Sequence, residues 1–190
     1  MMKKIYITIA VGAVLCLAVV ALSLLREAKP HGNASPTSTT STQASASTTL
    51  PREAGEGWTE YRSDEYHFSL LYPTTLKETE HPEDGGGMTV TFEDIEPKTV
   101  SGFQIFITPF SGNQITDARF NADDPSGVRI GLKNITVDGA TGVSFYSTDR
   151  ALGATVEVWF IRGGYLYEAT TFKELAPSLA NILATWQFTN

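Results

Sequence analysis

Residues 155–171 read TVEVWFIRGGYLYEATT, and this stretch decides the fold. Two runs, 155–161 and 165–171, flank Arg162-Gly163-Gly164, and both are rich in β-branched and aromatic residues. The first begins with polar and apolar residues in alternation over 155–158. Runs of this composition and length predict β-strands, in which successive side chains point to opposite faces. The glycine-rich connection predicts that the two strands form an antiparallel hairpin.

The rest of the C-terminal part of the chain extends this pattern. A hairpin is predicted around Asp138-Gly139, and an amphipathic helix over 173–185, where leucine and isoleucine recur at helical spacing. A short helix is predicted over 115–121. The predicted strands are 58–61, 67–72, 88–92, 102–108, 128–137, 141–147, 155–161, 165–171 and the short tail 186–188. Hairpins followed by a helix predict an α+β fold in which an antiparallel sheet is covered by helices.

One face of the strand 155–161 is unusual in composition. Glu157 and Trp159 share that face, whereas Val156, Val158 and Phe160 share the other. A tryptophan beside a glutamate is either covered by a helix or exposed to a partner. We expect the covered arrangement.

The N-terminal segment predicts attachment to a membrane. Residues 5–25 carry no charge, and Lys3-Lys4 precede them while Arg26 follows. A run of this length spans the hydrocarbon core of a bilayer as a helix, and the lysines favour a cytoplasmic N-terminus. Residues 1–28 are therefore predicted to be a single-pass signal anchor of the cell membrane, with the C-terminal domain outside. The alternative is a cleaved signal peptide.

A linker follows the predicted anchor. Serine and threonine supply 11 of the 18 residues in 33–50, and no charged or aromatic residue interrupts them. Such a segment buries too little apolar surface to offset the entropy lost on ordering, so residues 29–57 are predicted to be a disordered tether. Residues 58–190 then form the extracytoplasmic α+β domain.

The charge distribution argues against nucleic acid as a partner. Four of the 14 basic and one of the 21 acidic residues precede residue 51, which leaves residues 51–190 with a net charge near −10. A domain of this charge repels a phosphate backbone. The single cysteine, Cys16, lies in the apolar run, so the domain has neither a disulfide framework nor a thiolate metal site.

The acidic residues after the second predicted strand suggest a metal site. His81, Glu83 and Asp84 are the candidate ligands, since imidazole and carboxylate groups bind divalent cations. Calcium binding by acidic loops is a second possibility, with Glu83, Asp84, Glu93, Asp94 and Glu96 as ligands. Acidic loops on a domain of this charge are usually solvated, so we expect surface charges here and keep the metal site as the alternative.

No catalytic residues are predicted. The chain has no Gly-x-Ser-x-Gly motif, and the domain has no cysteine nucleophile. Gly85-Gly86-Gly87 lacks the lysine and the following helix of a phosphate-binding loop. The domain is predicted not to be an enzyme and to carry no cofactor.

Four stretches together resemble a known family: Tyr66-His-Phe-Ser-Leu-Leu-Tyr-Pro73, Ile135-Thr-Val-Asp-Gly139, Val156-Glu-Val-Trp-Phe-Ile-Arg-Gly-Gly-Tyr-Leu-Tyr167 and Ala184-Thr-Trp-Gln-Phe188. Residues 58–188 resemble the PsbP-like fold, which is named for the extrinsic P subunit of photosystem II and also occurs in exported bacterial proteins of unknown role. Where members often carry a tryptophan after the proline, this chain has Leu76, which can fill the same core position. The resemblance implies a PsbP-like α/β/α sandwich and a non-catalytic binding or accessory module, but transfers no functional residue.

The sequence therefore predicts a membrane-tethered, non-catalytic, extracytoplasmic binding or accessory module. Its partner is expected to be a protein or another component of the cell envelope. The alternatives are a metal-dependent or hydrolytic enzyme and a structural surface protein.

Overall fold

The computed structural model describes residues 53–95, 101–124, 126–149 and 152–189. The predicted anchor and most of the predicted linker lie outside these ranges. Among the described residues, no helix is long and apolar enough to cross a membrane.

Strands dominate the described part of the chain. In chain order the elements are β1 (Trp58–Ser63), β2 (Phe68–Pro73), β3 (Leu76–Glu83), β4 (Gly87–Asp94), β5 (Gly102–Pro109), α1 (Asp117–Asp123), β6 (Ile130–Val137), β7 (Ala140–Asp149), β8 (Gly153–Arg162), β9 (Tyr165–Phe172), a 3-10 turn (Lys173–Leu175), α2 (Ala176–Leu183) and β10 (Gln187–Phe188).

The strands form two antiparallel sheets. The larger sheet has seven strands in the order β3-β4-β5-β9-β8-β7-β6, and the smaller has three in the order β1-β2-β10. The hairpin predicted around Arg162-Gly163-Gly164 is confirmed as β8 and β9, which pair from Thr155 opposite Phe172 to Arg162 opposite Tyr165. This hairpin lies in the interior of the large sheet, next to β5 on one side and β7 on the other.

The main core lies on one face of the large sheet and includes residues of the small sheet and α2. Phe68 and Trp186 stack with their ring centroids 4.2 Å apart, and Phe160 of β8 meets Trp186 edge-on. Leu76 is buried in this core, as the resemblance implied for the position after the proline. From α2, Leu179, Ile182 and Leu183 are buried.

The prediction of a helix-covered sheet is only partly right. The antiparallel sheet is confirmed, but most of its covering comes from a second sheet. The two α-helices in the described ranges are short, with seven and eight residues. The predicted helix over 173–185 is α2 preceded by a 3-10 turn, and the one over 115–121 is α1, shifted by two residues.

One strand was missed. Residues 76–83, which the sequence analysis left as an acidic loop, form β3 at one edge of the large sheet. Six of its eight residues are exposed, and only Leu76 is buried, so neither face carries an apolar stripe. Without a buried face a strand shows no alternation, and this one is set by its pairing with β4 alone.

Candidate binding surface

The two edges of the large sheet differ in chemistry. The edge strand β3 has the sequence LKETEHPE, in which charged side chains and Pro82 discourage pairing with another chain. The opposite edge, β6, has the sequence IGLKNITV and no acidic residue. Ile130 and Leu132 of β6 have 65% and 50% of their surface exposed. The β6 edge is therefore less protected than β3: it has no proline, and Lys133 is its one charged residue.

A third apolar side chain extends the exposed area on the neighbouring strand. Tyr146 of β7 pairs with Ile130 and is 39% exposed. The β6–β7 register shifts between Ile130 and Lys133, where Gly131 adopts a positive φ of 71°. We call Ile130, Leu132 and Tyr146 the β6 patch. An exposed apolar group of this kind on an edge strand is typical of a site where another protein binds.

Positive charge lies beside the β6 patch although the domain is acidic. The ammonium group of Lys173 lies 5.3 Å from the centre of the Tyr146 ring, and Lys133 is exposed on β6 itself. Ionic screening at physiological salt acts over about 8 Å, so a partner on this edge responds to these two lysines more than to the net charge of the domain. The β6 patch is therefore apolar with a locally positive border.

The other face of the β8–β9 hairpin carries a covered layer of aromatic and acidic side chains. Trp159 is buried there and stacks on Phe120 of α1, at 5.0 Å between ring centroids, while Phe145 meets both rings edge-on. The expectation that a helix covers Trp159 is confirmed.

Glu157 lies beneath the same covering and is held by hydrogen bonds. Its carboxylate accepts from Thr155 Oγ1 at 2.9 Å, Thr170 Oγ1 at 2.6 Å and Trp159 Nε1 at 3.3 Å. No basic residue in the described ranges forms an ion pair with it. Burial raises the pKa of Glu157 to about 7, although the three hydrogen bonds lower it in part.

Glu168 is a second buried carboxylate on this face. Its Oε1 lies 3.7 Å from Nη2 of Arg119, and Arg119 also forms an ion pair with Asp123 one turn along α1. Burial and the neighbouring Asp123 raise the pKa of Glu168, and Arg119 opposes this shift. Because these side chains are covered, the layer has the character of a structural network that docks α1 rather than of a substrate site.

The docking of α1 also depends on its N-cap. Thr116 Oγ1 accepts a hydrogen bond from the backbone N–H of Arg119 at 3.3 Å. Thr116→Ala should therefore lower the free energy of unfolding by about 1 kcal/mol. Thr116→Ser, which keeps the hydroxyl, should lose much less. Urea denaturation of the three proteins measures the difference, and equal stability of the Ala and Ser variants would show that the cap contributes nothing.

The predicted metal ligands differ in their position and exposure. His81 and Glu83 lie on β3, whereas Asp84 is in the turn that follows; His81 and Asp84 are exposed, and Glu83 is half-buried. The carboxylate of Glu83 accepts a hydrogen bond from Thr89 Oγ1 at 2.7 Å. Within the described ranges, no three His, Cys, Asp or Glu side chains are arranged to hold a metal ion. Of the possible calcium ligands, Glu93 and Asp94 lie at the end of β4, and Glu96 is outside the described residues.

Sequence reasoning missed the β6 patch. The alternation in 128–137 predicted a strand, but not that this strand would be an edge or that nothing in the described ranges would cover Ile130 and Leu132. The two edge strands differ in composition, since β3 is charged and β6 is mostly uncharged. The sequence alone does not show that these two strands are the edges, so the difference has meaning only once the sheet order is known.

Comparisons with known proteins identify neither a family nor a function. No protein-family model matches the chain, and no curated protein sequence matches it. Among solved structures the chain is similar to the solution structure of the cyanobacterial PsbP protein CyanoP from Synechocystis sp. PCC 6803. The TM-score is 0.49 and the sequence identity 11%, over 74% of this chain and 97% of that one. With a TM-score of 0.49, the likeness carries no argument about the fold, a ligand or a partner of this chain.

Proposed function

We propose that this protein is a non-catalytic binding module that recognises an extended segment of a partner protein along β6. The observation that supports the proposal is the β6 patch, an exposed apolar group on an edge strand without acidic residues or proline. An edge strand with one charged residue and two exposed apolar side chains is prone to pair with another chain. A partner protein that supplies an extended segment would pair with this edge.

Strand addition explains how such an edge binds. An extended partner segment forms main-chain hydrogen bonds with the outward-facing groups of the edge strand, and alternate side chains of the segment provide specificity. In this protein Ile130 and Leu132 would contact apolar side chains of the partner. Full burial of one such side chain contributes about 1.5–3 kcal/mol.

The charges indicate which segment fits. Lys133 and Lys173 border the patch, so the favoured partner segment alternates apolar residues with acidic ones. A second copy of this domain fits less well, because two domains of net charge near −10 repel each other and their β6 strands would bring lysines together.

The proposal includes the location predicted from the sequence. Residues 1–28 would anchor the chain in the cell membrane with the N-terminus in the cytoplasm, and residues 29–57 would carry the domain away from the bilayer. The partner would then be a protein or another component of the cell envelope. We also propose that the chain belongs to the exported bacterial branch of the PsbP-like fold, which fits this location.

Hydrogen–deuterium exchange of the full chain in detergent solution tests the proposal. The probe is a six-residue peptide in which valine alternates with glutamate, and the control peptide has lysine in place of glutamate. We expect the glutamate peptide to slow amide exchange in β6 and not in β3. Equal protection of both edges, or none, would contradict the proposal.

A matched pair of variants makes the test specific. Leu132→Ser should weaken binding of the glutamate peptide about tenfold, because an apolar contact is lost while the charge of the edge stays the same. Ile95→Ser alters a side chain that is 60% exposed after β4, and binding should not change. Concentration-dependent dimerisation that is lost in Leu132→Ser would instead favour a structural surface protein that assembles through this edge.

A further inference from the structure

A small cavity lies at the other end of the large sheet, near the turn between β8 and β9. Its volume is about 180 Å³. It is open to solvent and lined mainly by apolar surface, with two cationic or ionisable side chains on its wall: Arg162 and His67. Arg162 lies six positions along β8 from Val156, which pairs with Tyr146 of the β6 patch. At about 3.3 Å per residue, the cavity is roughly 20 Å from that patch and belongs to a different site.

The apolar walls are aromatic rings held in fixed positions. Tyr167 and Phe188 have ring centroids 5.6 Å apart, and Tyr165 lies 6.3 Å from Tyr167. The Tyr167 hydroxyl donates a hydrogen bond to the carbonyl oxygen of Tyr66 at 2.8 Å. The Phe188 N–H donates to the Asp138 carboxylate at 2.7 Å. Rings fixed in this way form a rigid apolar floor against which a flat apolar group can pack.

The guanidinium group of the cavity has no anionic partner of its own among the described residues. The guanidinium carbon of Arg162 lies 5.5 Å from the centre of the Phe188 ring. Within the described ranges Arg162 forms no ion pair, although residues 51–190 contain twice as many acidic as basic residues. Asp138, the nearby carboxylate, is engaged by the Phe188 N–H and does not line the cavity. An anion at the cavity mouth would therefore meet Arg162 without displacing another carboxylate.

The backbone brings His67 to the same mouth. His67 has a φ of 54°, in the left-handed region, and its carbonyl oxygen accepts a hydrogen bond from the N–H of Thr189 at 2.8 Å. Glycine or asparagine satisfies this backbone at least as well as histidine. The turn itself therefore does not require an imidazole at this position.

We propose that this cavity binds a small carboxylate that carries a single planar ring. The ring packs against the exposed parts of Tyr165 and Phe188, since Tyr167 beneath them is 1% exposed. The carboxylate contacts Arg162 and His67. The volume suits a one-ring ligand, since a cavity of roughly 150 Å³ accommodates benzene. The charges select an acid over its neutral amide, because the guanidinium fork matches a carboxylate in shape and charge.

Titration of the full chain in detergent solution, followed by NMR, tests this site with two probes of equal shape. Phenylacetate should bind saturably and shift the aromatic signals of the three wall residues. Phenylacetamide, which has no charge, should bind roughly tenfold more weakly, as expected for the loss of a charged hydrogen bond. Equal affinity for the two probes, or no saturable shift with phenylacetate, would overturn the proposal.

Variants separate binding at the cavity from damage to the fold. Arg162→Met keeps the apolar stem and should weaken phenylacetate binding about tenfold, since the charged contact is lost. His67→Asn keeps a residue that tolerates the left-handed backbone, so its melting temperature should not fall while phenylacetate binding weakens. Lys133→Met, which removes a cation beside the β6 patch, should leave phenylacetate affinity unchanged. The variants therefore distinguish a loss of phenylacetate binding at the cavity from a loss of peptide binding at the β6 patch. Unchanged phenylacetate binding in Arg162→Met would overturn the proposed site.

Discussion

Trp159→Ala should lower the free energy of unfolding by about 3–5 kcal/mol, the range typical of a buried aromatic side chain replaced by alanine. The indole is 2% exposed and packs against Phe120 and Phe145 on the outer face of the large sheet. Its removal leaves a cavity under α1, and this seven-residue helix has Phe120 as its buried residue. The substitution also takes away a hydrogen bond to the Glu157 carboxylate.

Urea denaturation measures this loss, and Trp58→Ala provides the comparison. Trp58 of β1 is only partly buried, so the same change in size should cost much less there. Circular dichroism in the near ultraviolet should show that the rest of the aromatic core keeps its packing in both variants. A cost in Trp159→Ala no larger than in Trp58→Ala would mean that α1 does not form a tight cover over the sheet.

The large sheet could be predicted where burial produces alternation. On β8, Val156 and Phe160 belong to the core between the sheets, and Trp159 belongs to the smaller cluster under α1, as the alternation of faces along 155–161 predicted. The two turns at Asp138-Gly139 and Arg162-Gly163-Gly164 were predictable for a local reason. The glycines and Asp138 adopt positive φ, which most other residues avoid.

The features of the fold that were not predicted depend on contacts between residues far apart in the sequence. No local signal shows that β1, β2 and β10 separate into their own sheet, because β10 joins β2 from more than a hundred residues away. The edge strand β3 has an exposed polar sequence that resembles a loop. Its misassignment is also why His81 and Glu83 were grouped with Asp84 as loop ligands, whereas the first two lie on a strand.

The candidate sites, too, were predictable only where local sequence determines them. The sequence placed Glu157 and Trp159 on one face, but the hydrogen bond from Thr170 required the β8–β9 register. The cavity at Arg162 combines residues from the turn before β2, the β8–β9 hairpin and the C-terminal strand. Such a site has no motif, since its side chains come from three separate segments of the chain.

Glu157→Gln should make the protein more stable at pH 8 and leave it nearly unchanged at pH 4.5. The folded protein holds the Glu157 proton up to a pKa of about 7, whereas the unfolded chain releases it near 4.5. Between these two values the folded state binds more protons than the unfolded state. The free energy of unfolding therefore falls as the pH rises through this window.

The expected size of this effect follows from the pKa difference. One pKa unit corresponds to 1.36 kcal/mol, so ionisation of Glu157 removes roughly 3 kcal/mol of stability between pH 4.5 and pH 8. Glutamine stays neutral throughout and avoids this loss, while its amide still offers an oxygen to Thr155, Thr170 or Trp159 as a hydrogen-bond acceptor. A smaller pH dependence should remain in the variant, because the pKa of Glu168 is raised as well.

Urea denaturation at pH 4.5 and pH 8 measures the two free energies in the wild-type protein and in Glu157→Gln. Glu174→Gln, which alters an exposed carboxylate in the 3-10 turn before α2, corrects for the general effect of removing a negative charge from an acidic domain. The stabilisation at pH 8 should be several times larger in Glu157→Gln than in Glu174→Gln. If Glu157→Gln is instead the less stable protein at pH 8, the ionised carboxylate must be stabilised by its three hydrogen bonds more strongly than burial disfavours it.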